Sequence, residues 1–402
     1  MFSSCPCAFV VYKYAKMGAK ILIVDDDEGL RWALALTFED EGYEVHAVGT
    51  GLDALECLKD QSFDVVITDL GLPDLDGMEI LRRIKGSHPE TIVVILTGQG
   101  SERVAVEAMR LGVDDYFPKG LTEPEEMLMR LAKAIEMRRL RLENQLFHQR
   151  LEIELDTARK IQQSLLPQLP PAIEGIDIGI FNRPAKQVGG DYHDLIEISP
   201  IKLGIAIGDV SGKGMPAALL MANVQASLRR YSESAYSPRE IIYRINNSLC
   251  PICQLIEEHR FITLFYGVLD LKSRKLVYSN AGHNHPFVFQ KNGDVHGLSD
   301  GAGLPCGIME NALYDEAEIE LEPGDVALFY TDGITEAMSY DNAMFGEERL
   351  LEIVSKNLRS NPSDLTAGIY EELANFVGDA PQYDDLTLMV LKVKQRPDDR
   401  GV

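Results

Sequence analysis

Residues 123–166 contain no glycine, and their only proline is Pro124. So long a stretch without a breaker reads as helix, with Pro124 at a start position where proline is tolerated. The helix ends at Leu166-Pro167, with Pro170-Pro171 beyond it. It splits the chain into two folding regions. The 402-residue length, at about 150 residues per domain, fits two domains and a connector. Leu140, Phe147, Glu154 and Ile161, with Asn144, Leu151, Ala158 and Leu165, follow heptad spacing, and six of the eight are apolar. This predicts a coiled-coil pairing helix and a homodimer, with Asn144 helping to set the register. Leu142, Leu146 and Ile153 fall off that seam. Leu128, Leu131 and Ile135 follow a different phase, so the first domain's last helix is expected to end near residue 137. The expected divisions are a tail at 1–18, a domain at 19–137, a helical linker at 138–168, a domain at 169–395 and a tail at 396–402.

The connector holds eight acids and eight bases, so the chain's net charge of −24 lies outside it. An excess of 63 acids over 39 bases disfavours nucleic-acid backbone binding and suits cations or a basic partner. No apolar run is long enough to predict a membrane span, and the N-terminus lacks the layout of a signal peptide. The expected compartment is the cytoplasm. Residues 1–16 are expected to be a disordered tail, or to precede the start that the cell uses. Six scattered cysteines do not make a disulfide scaffold.

From residue 20 to 137, short apolar runs alternate with helical spacing. The runs are 21–24, 64–68, 91–96 and 113–117; the helical stretches are 28–38, 51–59, 78–85 and 101–111. This pattern predicts an α/β domain with a doubly wound parallel sheet. Sites in such folds lie at the carboxyl ends of the strands, here Asp25, Asp26, Asp69, Thr97 and Lys119. Three converging carboxylates need a cation, and all-oxygen donors suit Mg²⁺. Lys119 and Thr97 could then stabilise a phosphoryl group on Asp69. Asp27 is expected to cap the first helix. Trp32, on that helix, is expected to pack.

The strings IVDDDEGLR, ITDLGLPDLDG, ILTGQG and YFPKG resemble the receiver domains of two-component response regulators. The resemblance implies a flavodoxin-like fold and a cognate histidine kinase. It makes Asp69 the phosphoacceptor and gives Mg²⁺ to Asp25, Asp26, Asp69 and the Gly71 carbonyl. Thr97, Tyr116 and Lys119 become the switch residues. Gly120 departs from the family, which usually has proline after the lysine.

The region after the connector mixes strand patterns at 203–207, 261–270, 275–280, 286–290, 325–330 and 386–393 with helices at 215–231, 238–250, 346–356 and 362–376. An α+β layered fold is expected. Its notable acids, Asp191, Asp209, Asp332, Asp384 and Asp385, fall at strand ends or turns, the first three beside glycine. Carboxylates with backbone carbonyls are Mg²⁺ or Mn²⁺ chemistry, and two such ions can activate water for attack on a phosphoryl group. The Cys250-Pro-Ile-Cys253 spacing lacks a second pair and is not expected to bind zinc. His283 could donate a proton, but a loop-shaping hydrogen bond is the commoner role.

ARKIQQSLLP, VGGDYHDL, GDVSGKGMPAALLMA, RFITLFYGVLD, NAGHNHP, LEPGDVALFYTDGITEA and DDLTLMVL resemble the bacterial sporulation and stress-response branch of the type-2C serine/threonine phosphatases. The resemblance implies a layered β-sandwich flanked by helices and two Mn²⁺ or Mg²⁺ ions. By it, Asp209 bridges both ions and the Val210 carbonyl binds one. Asp332 and Asp384 bind the other, and Asp191 acts directly or through water. Which of Asp384 and Asp385 is the ligand stays open. His193 and His285 stand where an aromatic and a proline are expected. Ser211 and Lys213 could attract the substrate phosphate. The whole reads as a response regulator whose output is phosphatase activity on a phosphoserine or phosphothreonine protein, an anti-sigma antagonist by family. A non-enzymatic adaptor is the alternative; it predicts missing metal ligands, which this sequence retains.

Overall fold

In the computed structural model, the described residues are 18–98, 102–120, 122–167, 173–234, 236–255 and 260–395. Both expected tails lie outside them, apart from Gly18, as do Pro170 and Pro171. The chain divides into two compact units, Met1–Leu151 and Glu152–Val402.

The N-terminal unit has five parallel strands, β1 (Lys20–Val24), β2 (Glu44–Val48), β3 (Val65–Asp69), β4 (Ile92–Thr97) and β5 (Asp115–Pro118). Their order is β2-β1-β3-β4-β5. Helices α1 (Glu28–Asp40), α2 (Gly51–Asp60), α3 (Gly77–Ser87) and α4 (Glu102–Arg110) connect them. Alternate residues of the strands feed two cores. Ile21, Ile23, Val65 and Ile67 pack with Leu34 and Phe38 of α1, and with Leu128 and Leu131. Leu22, Val24, Val66 and Val93 pack with Leu58 of α2 and Leu81 of α3. The sheet is therefore covered on both faces, the doubly wound arrangement expected from the apolar runs. The sequence pattern missed β2, whose residues are only partly buried.

Helix α5 runs without interruption over Pro124–Leu165. The end expected near residue 137 is absent. The change of apolar phase there marks a change of environment: Met127, Leu128 and Leu131 are buried, whereas Leu140, Phe147 and Ile161 are exposed. Trp32 is 69% exposed, so the packing role expected for it is wrong. It falls on the face of α1 opposite Leu34 and Phe38.

The C-terminal unit is a sandwich of two largely antiparallel sheets. One has the order β13-β10-β9-β8-β7, with β14 also on β10. Its strands are β7 (Tyr192–Ser199), β8 (Lys202–Val210), β9 (Ile262–Asp270), β10 (Lys275–Ala281), β13 (Ala302–Gly303) and β14 (Ala317–Glu320). The other has the order β12-β11-β15-β16-β6. Its strands are β6 (Ile176–Arg183), β11 (Phe287–Phe289), β12 (Val295–Gly297), β15 (Val326–Tyr330) and β16 (Leu386–Val393). Ile205, Ile207 and Phe265 of the first sheet meet Phe329, Met389 and Leu391 of the second. Outside lie α6 (Met215–Ser232) and α7 (Pro238–Leu255) on one sheet. On the other lie α9 (Glu347–Lys356) and α10 (Pro362–Val377), while α8 (Asp332–Thr335) is one short turn after β15.

Candidate active site

In the N-terminal unit, Asp25 follows β1 and Asp69 ends β3, so adjacent parallel strands deliver both carboxylates to one edge. Asp25, Asp26 and Asp69 each place an oxygen within 4.8 Å of the others. Lys119 Nζ lies 2.7 Å from Asp25 Oδ2 and 2.8 Å from Asp69 Oδ2. Burial pulls the Lys119 ammonium down, but its bonds to Asp25 and Asp69 outweigh that and raise it. A clustered, all-oxygen donor set already holding an ammonium suits a hard divalent cation. Thr97 is buried at the end of β4, and its carbonyl accepts from Lys119 N at 2.7 Å. Asp69, Gly71, Thr97 and Lys119 line one open cleft of about 670 Å³. Tyr116 packs partly buried against the second core. Asp27 caps α1 as expected, accepting from Leu30 N at 3.0 Å. Gly120 has φ +75°, a conformation closed to proline, which accounts for the departure there.

In the C-terminal unit the acids gather at one end of the sandwich. Asp191 precedes β7, Asp209 lies near the end of β8, Asp332 follows β15 and Asp384 precedes β16. Burial raises the Asp209 carboxyl to about 7, with the charges of Asp332, Asp384 and Asp385 adding to it. Asp191 is buried and pushed well up by burial, then by Asp209 and Asp385. Asp332 is raised by burial, then by Glu336 and Asp384. Carboxylates that penalise each other in this way ask for positive charge.

Backbone approach supports the same conclusion. A Cβ on Gly190 would lie 2.9 Å from the Val210 carbonyl oxygen and 3.4 Å from Asp209 Oδ1, so only glycine leaves this cradle open. Asp191 Oδ2 accepts from Thr331 Oγ1 at 2.8 Å and Thr387 Oγ1 at 2.5 Å. Asp385 Oδ1 accepts from Ala185 N at 2.7 Å, and its Oδ2 from Gly190 N at 2.6 Å. Asp384 Oδ2 instead lies 3.0 Å from Lys213 Nζ. The two neighbouring acids thus differ: Asp385 clasps the loop at 185–191, and Asp384 faces a cation. A cavity of about 480 Å³ opens beside Asp384, lined among others by Arg183, Tyr370, Gln382 and Leu373.

The histidines take structural places. His283 is buried, and burial holds it down at about 4, so it is neutral near pH 7. Its Nε2 lies 3.2 Å from the Tyr330 carbonyl, which can only accept. Nε2 therefore carries the proton, and Nδ1 accepts from Thr263 Oγ1 at 2.9 Å. His283 shapes the loop rather than offering a proton to the acids. His193 is buried and His285 exposed. Cys250, Cys253 and Cys306 are free and buried, and burial raises all three thiols, Cys306 to about 12.

Sequence reasoning missed Gln162. Its side-chain amide donates to the Gly189 carbonyl at 2.7 Å and accepts from Gly189 N at 3.1 Å. It also missed the Thr331–Thr387 clamp on Asp191. The only signal for Gln162 was its place in the string ARKIQQSLLP.

Residues 21–132 match the response regulator receiver domain family, and residues 199–394 match the stage II sporulation protein E (SpoIIE) family. Phosphoserine phosphatase RsbU of Bacillus subtilis (strain 168) is 30% identical over 246 residues, covering 61% of this chain and 72% of RsbU. The chain belongs to the RsbU/SpoIIE phosphatase family, with a response regulator receiver domain at its N-terminus. Protein IcfG of Synechocystis sp. is 31% identical over 264 residues, covering 60% of this chain but 41% of IcfG. The SiaA-PP2C domain of Pseudomonas aeruginosa matches with a TM-score of 0.55 at 22% identity, over 61% of this chain and 98% of that domain, a likeness of fold. The phosphatase domain therefore ends its sandwich in the acidic cluster, and the receiver ends its sheet in the Asp25–Asp26–Asp69 trio. No helix among the described residues is long and apolar enough to cross a membrane.

Proposed function

We propose that the chain is a two-component response regulator whose output is metal-dependent dephosphorylation of phosphoserine or phosphothreonine on a partner protein, controlled by phosphorylation of Asp69. The observation that carries this reading is the gathering of Asp191, Asp209, Asp332 and Asp384 from both sheets at one end of the sandwich, where burial and mutual charge raise Asp209 to about 7. The all-oxygen donors and the open Gly190 cradle fit two Mn²⁺ or Mg²⁺ ions. When bound, such ions neutralise phosphoryl charge and supply an activated water. The chain's own residues do the placing. Asp209, the Val210 carbonyl, Asp332 and Asp384 would hold the ions, with the Asp209 carboxylate serving both. Thr331 and Thr387 fix the Asp191 carboxylate, and Asp385 holds the loop that carries it. That division supports reading Asp384 as the ligand of the neighbouring pair and Asp385 as its structural partner. The cavity beside Asp384 receives the protein substrate.

In the receiver, Asp69 is the nucleophile toward a phosphoryl donor supplied by a cognate histidine kinase. Asp25, Asp26 and the Gly71 carbonyl hold Mg²⁺ with it, and Lys119, Thr97 and Tyr116 respond to the phosphoryl group. The long helix carries the response, since its last turns hold Gly189 through Gln162. Its exposed Leu140, Phe147 and Ile161 support pairing with a second copy. Kinship with RsbU points to an anti-sigma antagonist as substrate and to action in the cytoplasm, without contact to DNA. The adaptor alternative loses its footing because none of the four acids is missing. The test is Mn²⁺-dependent hydrolysis of a phosphoserine protein. Activity is expected in the wild type and lost in Asp209→Asn and Asp332→Asn; activity surviving both substitutions overturns the two-metal site.

A further inference from the structure

Lys213 Nζ lies 3.0 Å from Asp384 Oδ2 and donates to the Tyr383 carbonyl oxygen. A positive charge thus sits on a carboxylate assigned above to a divalent ion. The placement is built into the loop after β8. Gly212 and Gly214, on either side of Lys213, have φ +84° and +79°. Arg260 Nη1 donates to the Ser211 carbonyl at 2.8 Å, and Ser211 Oγ accepts from Phe261 N at 2.8 Å. The backbone is therefore pinned just before Lys213, and its side chain is directed across the acids.

We propose that Lys213 is a tethered stand-in cation: its ammonium takes the place at Asp384 that a divalent ion occupies, so metal loading requires Lys213 to leave. The inference rests on the reading of Asp384 as a ligand. An ammonium and a divalent ion cannot share one carboxylate position without strong repulsion. The lysine therefore competes with a divalent ion for Asp384 and weakens the site's affinity for metal. Both partners are partly exposed, so the effect is modest, about two- to fivefold in metal affinity.

The experiment is calorimetric titration of the full-length protein with Mn²⁺, alongside thermal melts in chelator. Asp209→Asn combined with Asp332→Asn and Asp384→Asn supplies the receiver-only isotherm for subtraction. Lys213→Met is expected to bind Mn²⁺ about two- to fivefold more tightly than wild type while melting lower in chelator. Lys213→Arg, which keeps the charge, is expected to stay near wild type. Unchanged or weaker Mn²⁺ binding by Lys213→Met overturns the proposal. Failure of the ligand reading looks different: Asp384→Asn would then bind Mn²⁺ as wild type does, whatever residue 213 is.

Discussion

At the scale of single residues, the proposed chemistry turns on Asp209. Its folded carboxyl titrates near 7 against an ordinary 3.8, because burial and three neighbouring acids disfavour its charge. The metal-free folded state therefore binds a proton that the unfolded chain has already released. Stability falls as pH rises from about 4 through about 7. Melts in chelator should show this fall between pH 5 and pH 8, and Asp209→Asn should flatten it. Mn²⁺ should raise the melting temperature more at pH 8 than at pH 5.5; an equal shift at both would contradict a carboxylate cluster awaiting a cation. Asp209→Asn should also cut hydrolysis by about 10³-fold or more, since charge neutralisation and water activation are worth several kcal/mol. These acids were legible in the sequence because each lies beside glycine or at a strand end. Thr331, Thr387 and Gln162 were not, because a hydroxyl or amide announces a partner only once the fold brings that partner near. The choice between Asp384 and Asp385 was equally invisible: neighbours in sequence, they differ only in what their oxygens meet.

At the scale of elements, most strands and helices were readable from periodicity, since the strands of both domains are apolar runs. The exceptions have physical causes. Strand β2 is half-buried and its pattern weak. Helix α5 carries two apolar phases on one unbroken rod, which periodicity alone reads as two helices. The end of this rod meets the loop at 185–191 through the two hydrogen bonds of Gln162 to Gly189. Gly189 in turn abuts Asp385, since a Cβ there would lie 2.6 Å from its Oδ2. Gln162→Ala removes both bonds, a local loss of roughly 1–3 kcal/mol. It should lower kcat about tenfold on a phosphoserine protein with little change in global melting temperature. Gln162→Glu keeps an acceptor for Gly189 N but sets a carboxylate against the Gly189 carbonyl, so it should be no better than alanine. Wild-type kcat in both variants would show that the helix end does not steady the loop.

At the scale of the whole molecule, the −24 charge divides into function and surface. On the proposed reading, the carboxylates of the two sites become less negative when cations bind, and the remainder is surface charge. The apolar residues left exposed along α5 predict a dimer that sedimentation velocity will detect. Leu140→Glu with Phe147→Glu should convert it to monomer, and a wild-type protein already monomeric at high concentration would refute pairing. The central claim is that the receiver governs the phosphatase. It is tested most directly by the rate of phosphoserine hydrolysis by the full-length protein, with Mn²⁺, in the presence and absence of the phosphoryl mimic beryllofluoride. The account predicts a several-fold change in rate that disappears in Asp69→Asn; an identical rate with and without the mimic in the wild type would contradict it.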